Sequence, residues 1–412
     1  KILAIVNADG ELVDMLGAGE SGTVVLDKTP FYAQSGGQVG DSGVIKNGED
    51  NAFIVADTAK NADSVYLHKG EVSRGIISVG DSVFASINAA RRKSIMRNHT
   101  AAHLLQAALR QVLGTHVEQA GQLVNETEVR FDFTHFNPMT TQEIAKVEML
   151  VNKFILSASS VTMQEMPIED AKKTGAMALF GEKYGDIVRV VKAGDFSTEF
   201  CGGTHVANSG EIGLFKIVSE ASVAAGVRRI TAYTGLASLA YLNLNEMAVK
   251  TVASIFKTSE NEVVERTQAV ISDNKEMEKE IQALNAEITK LKSADMFSKP
   301  TLVDGLELYI AKIEGTTPDA LRSMGDDLKN KGDNVVALIA GVNGDKANLV
   351  AVCGKNAIAK GVKAGDLVRE IAKLAGGGGG GRPDSAMAGA KDISKLDGAL
   401  AAVEQTVKSL IK

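Results

Sequence analysis

Over residues 1–90, apolar positions alternate with polar ones in short runs. GTVVLD, SGVIK, NAFIVAD, SVYLHKG and DSVFASIN are set apart by Gly, Asn and Asp, at the spacing of strands in a small β-barrel. Inside this region FYAQSGGQVGDSG, residues 31–43, is too rich in glycine for a strand interior. It reads either as a hairpin with a bulge or as the wall of a pocket. From Ala89 the period becomes helical. NHTAAHLLQAALRQVLG, residues 98–114, carries Leu104, Leu105, Ala108 and Leu109 on one stripe and Gly114 as a stop. Strand-like GQLVNETEVRFDF and a helix around TTQEIAKVEMLVNKFILSAS follow, then mixed structure through DIVRVVKAG, FCGGTHV and GLFKIVSEASVAAGVRRITAYTG.

Residues 236–298 read as helix throughout. Val263, Thr267, Val270, Asn274, Met277, Ile281, Leu284, Ile288 and Leu291 recur in steps of four and three, a heptad seam with Glu and Lys around it. The seam predicts an antiparallel helical hairpin with residues 236–256; a two-chain coiled coil is the alternative. Pro300 marks a boundary. Beyond it the strands ELYIAKI, NVVALIAGV and ANLVAVCG accompany the helices DALRSMGDDLKNK, KAGDLVREIAKLA and ISKLDGALAAVEQTVKSLI, an α/β domain. Between the last two helices sits GGGGGGRPDSAMAGA, residues 376–390. The fold class is therefore mixed α+β and α/β in several domains, with no solenoid repeat.

Length and composition agree with this. A chain of 412 residues is too long for one core and implies two to four domains. A hydrophobic fraction of 44% and a charged fraction of 23% are those of an ordinary soluble globular protein, and no run of eighteen apolar residues could span a membrane. The start, KILAIVNADGE, is not a secretory signal. It lacks an initiator methionine, which points to a piece of a longer protein, with processing as the other reading. Two cysteines, Cys201 and Cys353, build no disulfide framework and fit a reducing cytoplasm. A net charge of −6 argues against a surface that coats nucleic acid generally, while leaving room for a local basic patch.

Four of these residues carry candidate chemistry. His99 and His103 lie four apart on a predicted helix, so their imidazoles project from one face. Cys201 and His205 flank a Gly-Gly turn that lets the backbone curl and bring both side chains to one point. One thiolate and three imidazoles suit Zn²⁺. Either pair alone is commonly fortuitous; both pairs together use half of the six histidines, which makes a joint site the preferred reading. Thr100, Ala101 and Ala102 fill the gap between the helical histidines, so the glutamate base of HExxH metalloproteases is missing. Four protein ligands would close a structural site, and three would leave a position open for water or substrate. The residues alone leave both readings open.

RNHTAAHLLQAAL, GTHVEQAGQLV, RFDF, STEFCGGTHV, GVRRITAYTG and GGGGGGRPDSAMAGA, in that order, resemble the C-terminal two-thirds of bacterial alanyl-tRNA synthetases. HxxxH with CGGTHV is shared by the alanyl and threonyl editing domains, and the glycine run followed by RPDSA points to alanyl. The resemblance implies four parts. Residues 1–90 would be the β-barrel subdomain of an editing module and 91–235 its zinc-containing subdomain. Residues 236–298 would be a helical hairpin or coiled-coil linker, and 299–412 a C-Ala domain that binds the outer corner of tRNA. The class II aminoacylation and tRNA-recognition domains, which join alanine to tRNA(Ala) using ATP, would lie upstream.

The implied activity is hydrolysis of the 3′ aminoacyl ester of Ser-tRNA(Ala) and Gly-tRNA(Ala) in the cytoplasm. His99, His103, Cys201 and His205 would hold one Zn²⁺ per chain, the two helical histidines also serving catalysis. Gln119 would sense the serine hydroxyl, or else be an exposed turn residue. Gly36 and Gly37 would let the backbone approach the 3′-terminal nucleotide. Arg91, Arg92, Lys93 and Arg97 would track tRNA phosphates or simply form a solvated helix start. Arg228, Arg229, Gly378 and Arg382 complete the expected tRNA contacts, the glycine run being either a floppy linker or a turn opening onto the last helix. Residues 299–412 are only slightly basic, so any patch there is local. The expected partner is tRNA(Ala), at its acceptor end and outer corner; no membrane and no DNA is expected, and the C-terminal region admits a homodimer. Alternatives are a free-standing editing protein acting in trans, a threonyl-type editing domain, and a non-catalytic zinc-stabilised tRNA-binding module.

Overall fold

In the computed structural model of the chain, which describes residues 1–177, 185–344 and 346–412, the alternating start folds into nine antiparallel strands. They are β1 (Ile2–Asn7), β2 (Leu12–Val13), β3 (Met15–Gly17), β4 (Ser21–Leu26), β5 (Gly43–Asn47), β6 (Asn51–Lys60), β7 (Tyr66–Arg74), β8 (Ile76–Ser78) and β9 (Phe84–Ile87). Seven form one sheet in the order β2-β1-β4-β7-β6-β5-β9, and β3 pairs with β8 beside it. Among the described residues β2 and β9 do not pair, so the expected barrel is an open sheet. The edges explain this: β2 has two residues and β9 four, too few to zip a seam. Register shifts in β1 and β6 bend the sheet over Ile5, Val24, Ile45, Phe53 and Val72.

His68 of β7 is buried in this sheet, its Nδ1 2.8 Å from the Val24 carbonyl and its Nε2 2.8 Å from Thr29 Oγ1. Burial lowers its pKa below the usual histidine value. The unfolded chain therefore binds this proton more readily, and folding stability is lost as pH falls below about 6.5. His68→Gln should flatten the stability profile between pH 7 and 5. An unchanged slope in denaturant titrations would show that the ring contributes nothing to it.

The helical period that sets in at Ala89 yields α1 (Ala89–Leu113). Asn88 caps its start, accepting from the Arg91 amide at 3.1 Å, and Gly114, at φ +119°, ends it. Then come β10 (Gln119–Val124), β11 (Val129–Thr134), α2 (Thr141–Leu156), β12 (Val161–Pro167), α3 (Ile168–Lys173), β13 (Ile187–Ala193), β14 (Ser197–Phe200), β15 (Phe215–Ala224), β16 (Val227–Thr234) and α4 (Gly235–Phe256). Strands β10-β11-β16-β15 form a sheet against which α1 and α2 bury Leu104, Leu105, Leu109, Val147 and Val151, and Phe131 and Phe133 meet them from the sheet. Strands β12-β13-β14 form a second, smaller sheet. Its last strand delivers the CGGTHV turn.

Lys1–Ile255 is one compact unit and Phe256–Lys412 a second. The second opens with α5 (Val263–Met296), on which Met277, Ile281, Leu284 and Ile288 of the heptad seam are exposed; the side chain of Leu291 lies outside the described residues. Its α/β part comprises β17 (Thr301–Val303), β18 (Leu306–Glu314), α6 (Pro318–Lys329), β19 (Val335–Asn343), β20 (Lys346–Cys353), α7 (Lys355–Ala359), α8 (Ala364–Leu374), β21 (Gly378–Gly381), β22 (Ser385–Ala390), α9 (Leu396–Ala401) and α10 (Val403–Leu410). The sheet order is β17-β18-β19-β20-β22-β21, with β18 and β19 parallel. Both faces are covered: Val336 and Leu338 of β19 enter one core, Val335, Ala337 and Ile339 the other.

The glycine run is neither a linker nor a turn onto the last helix. Its last four residues, Gly378–Gly381, are an edge strand laddered to β22. A Cβ on Gly379 would sit 2.4 Å from Ala388 Cα, and one on Gly377 would meet the Gly389 carbonyl oxygen, so glycine is what lets the backbones approach. No helix among the described residues is long and apolar enough to cross a membrane.

Candidate metal centre and cleft

The four predicted ligands converge. His99 and His103 project from one face of α1, Cys201 and His205 come from the turn after β14, and their ligand atoms all lie within 4.8 Å of one another. Cys201 Sγ is 3.4 Å from His99 Nε2 and 3.3 Å from His205 Nε2. A tetrahedral zinc shell, with bonds of about 2.0 Å to nitrogen and 2.3 Å to sulfur, separates its ligand atoms by roughly 3.3–3.5 Å. The Gly-Gly between the ligands has a specific task. A Cβ on Gly203 would lie 2.1 Å from His99 Cε1, so only glycine lets the turn pass the ring.

Each imidazole is held from behind. His99 Nδ1 is 2.7 Å from Gln38 Oε1, His205 Nδ1 is 3.2 Å from Thr100 Oγ1, and His103 Nδ1 is 3.7 Å from Glu199 Oε2. Glu199 is anchored in turn by Ser197 Oγ, which donates to its Oε1 at 2.7 Å. This is the outer shell that metal-binding histidines ordinarily carry, and it leaves the three Nε2 atoms for an ion.

The electrostatics favour a cation. Burial alone would raise the Cys201 thiol, but the neighbouring His99 and His103 outweigh it and hold it well below the usual value. Burial works against charge on His103, while Glu199 and then Cys201 lift its pKa to about 9. Burial, with His99 adding to it, depresses His205 to about 3. Glu199 is raised by burial. A divalent ion would bind the thiolate that the lowered Cys201 pKa favours. The donor set and its supports fit zinc.

Beside the ligands opens a cleft of ≈ 290 Å³ lined by Tyr32, Gly36, Gln119, Gln122, Arg189 and the 200–203 turn. In a regular strand Gln119 and Gln122 would face opposite sides; a bulge between Gln119 and Gly121 brings both to the cleft. Gln122 Nε2 donates to the Gly36 carbonyl at 2.9 Å and sits 3.3 Å from His99 Nε2. Arg189 braces the turn, donating from Nη1 to the carbonyls of Gly202 at 3.1 Å and Gly203 at 2.6 Å. Burial raises the Tyr32 hydroxyl pKa and Cys201 adds to it, so the phenol stays protonated; it donates to the Ser35 carbonyl at 3.0 Å.

The other predicted residues fall in varied places. Gly36, at φ +56°, lines the cleft; Gly37, at φ +81°, packs against Gln122, whose Cγ would lie 2.4 Å from an added Cβ. Arg91 pairs with Glu126 at 3.1 Å and donates to the Gly40 carbonyl, and Arg92 grips Asp41. Arg97 donates to Ser94 Oγ at 2.9 Å, and Lys93 is exposed. Arg228 pairs with Glu220 and Arg229 with Asp132. In the second unit Gly378 belongs to β21, and exposed Arg382 lies 3.3 Å from Asp384. Gln38, Thr100, Gln122, Arg189 and Glu199 escaped the sequence reading. Thr100 and Glu199 stand beside ligands in NHTAAH and STEFC, the one signal available for them.

A model of the second additional domain of threonyl and alanyl tRNA synthetases matches residues 188–231, which hold Cys201 and His205. A DHHA1 domain model matches 305–409. A class II (A) tRNA synthetase model matches 1–91, so the expectation that the class II region lies wholly upstream does not hold for the open sheet. Alanine–tRNA ligases of Alkaliphilus oremlandii, Acetivibrio thermocellus and Bacillus subtilis are 47%, 46% and 44% identical over 98%, 99% and 98% of the chain. The chain spans 46% of each, less than the two-thirds expected. A crystal structure of the C-Ala domain of Aquifex aeolicus alanyl-tRNA synthetase aligns with 27% of the chain and 98% of its own length, at 33% identity and a TM-score of 0.26. From end to end, this chain is similar to rather less than half of an alanine–tRNA ligase.

Proposed function

We propose that the chain is the proofreading part of an alanine–tRNA ligase, hydrolysing the 3′ aminoacyl ester of Ser-tRNA(Ala) and Gly-tRNA(Ala). The observation that carries this is the convergence of a Cys-His₃ cluster with two glutamine amides in one cleft. The longer enzyme would join alanine to tRNA(Ala) using ATP in the cytoplasm. Such an enzyme needs a second site: a pocket for alanine admits smaller glycine and rejects serine, which adds only a hydroxyl, by about 10² at best.

His99, His103, Cys201 and His205 would hold one zinc ion, which supplies a fixed positive charge able to orient the ester or polarise a water in the cleft. Gln119 and Gln122 present the amides that read the aminoacyl group. Residues 1–90 and 91–235 would form the editing module, 236–298 the linker and 299–412 a tRNA-binding domain at the outer corner, with a homodimer formed through the C-terminal region. A second reading is favoured by the ligand count: four protein donors fill a tetrahedral shell, as in a structural site. In it the chain is a zinc-stabilised tRNA-binding module. Purified chain loaded with zinc and given Ser-, Gly- and Ala-tRNA(Ala) separates the two. Release of serine and glycine with alanine spared is expected; tRNA binding without release of either would leave the second reading.

A further inference from the structure

We infer that Gln38 is a positioning residue that fixes the tautomer of His99 and so sets the metal affinity of the centre. The inference rests on the metal-site reading above. Gln38 is wholly buried, just after Gly36 and Gly37, in a segment with no ligand of its own. Its amide orientation is unambiguous. Oε1 lies 2.9 Å from the backbone nitrogen of Thr204, which can only donate, and Nε2 lies 2.9 Å from Thr204 Oγ1. The same Oε1 is 2.7 Å from His99 Nδ1, so that nitrogen must carry the proton. Nε2 of His99 is then the lone-pair atom, and it faces Cys201 Sγ at 3.4 Å.

One oxygen thus ties α1 to the CGGTHV turn and selects which ring nitrogen binds. The space is filled closely: a Cβ on Gly203 would stand 2.9 Å from Gln38 Oε1. The main chain of Gln38 is held as well, its amide donating to the Ser35 carbonyl at 3.0 Å, while the next amide, Val39, donates to the Val124 carbonyl at 3.1 Å. Acceptors behind metal-binding histidines are typically worth about 10- to 100-fold in metal affinity.

The test uses the full chain with ¹⁵N-labelled histidine and competition titrations for zinc. In the wild type, His99 should show a protonated Nδ1 and an unprotonated Nε2. Gln38→Met, similar in size and lacking the acceptor, should weaken zinc about 10- to 100-fold and release that tautomer preference. Gln38→Glu keeps an acceptor for both N–H groups, and Thr204 Oγ1 can turn to donate, so it should bind zinc at least as tightly as wild type. A merely structural role predicts instead that the buried carboxylate harms as much as methionine. Nε2-protonated His99 in the wild type, zinc affinity of Gln38→Met within threefold of wild type, or a glutamate variant as weak as methionine would overturn the assignment. Wild-type chain that binds no zinc would sink the metal-site reading instead, and the histidine tautomer would still judge Gln38.

Discussion

Replacing Cys201 and His205 together by alanine should reduce zinc from about one ion per chain to background and lower seryl ester hydrolysis by two powers of ten or more. Each residue supplies an atom within 4.8 Å of the other donors, and what remains is a pair of histidines one helical turn apart. Structural zinc sites typically contribute about 10–16 kcal/mol of apparent binding energy at neutral pH, most of it dependent on a full ligand set. The losses should also reach stability, because the turn would be left with the bonds from Arg189 and Gln38 and the Val206 amide's bond to Thr100 Oγ1 on α1. Elemental analysis after dialysis against a chelator reads the first effect and thermal unfolding the second. Zinc retained at one per chain in the double variant would place the ion elsewhere.

The convergence of the four candidate ligands was legible in the sequence because both pairs are local. Positions four apart on a helix share a face, and two glycines between Cys201 and His205 announce a sharp turn. Their supports were not legible. Gln38 meets His99 across 61 residues and Thr204 across 166, and no local pattern encodes such a meeting. Gln122 was hidden by the period of the strand, which assigns it to the face opposite Gln119; the bulge that reverses this has no marker in QAGQLV beyond its glycine. Charge was visible in Arg92, Arg228 and Arg229, but the carboxylates that engage them lie on other strands or loops.

The glycine run misled for a related reason. Composition describes a free chain, and six glycines free in solution are flexible. Packed beside β22, the same residues make a strand because their missing Cβ atoms permit backbone contact. Alternation in residues 1–90 likewise specifies strands while leaving closure open, since closure depends on whether two distant edges are long enough to pair.

Gln119→Leu should lower seryl ester hydrolysis about 10- to 100-fold while changing glycyl hydrolysis least. Both glutamines face the cleft, but they differ in what holds them. Gln122 is tied to the Gly36 carbonyl and lies against His99, whereas the Gln119 side chain makes no intrachain hydrogen bond among the described residues. It is half-buried at the bulge, with its amide free to meet a hydroxyl. A seryl group would satisfy that amide; an alanyl group would cover it and leave it unpaired. Leaving a buried polar group unpaired costs about 1–3 kcal/mol, which is roughly one to two powers of ten in discrimination. Leucine removes both the bond and the penalty, so the serine-to-alanine ratio should collapse from both sides. Glycine offers no hydroxyl and is the internal control. Single-turnover deacylation of the three esters, at matched zinc content, reads the ratios directly. If the serine-to-alanine ratio stays unchanged in Gln119→Leu and falls in Gln122→Leu, the anchored amide reads the hydroxyl and the free one does not.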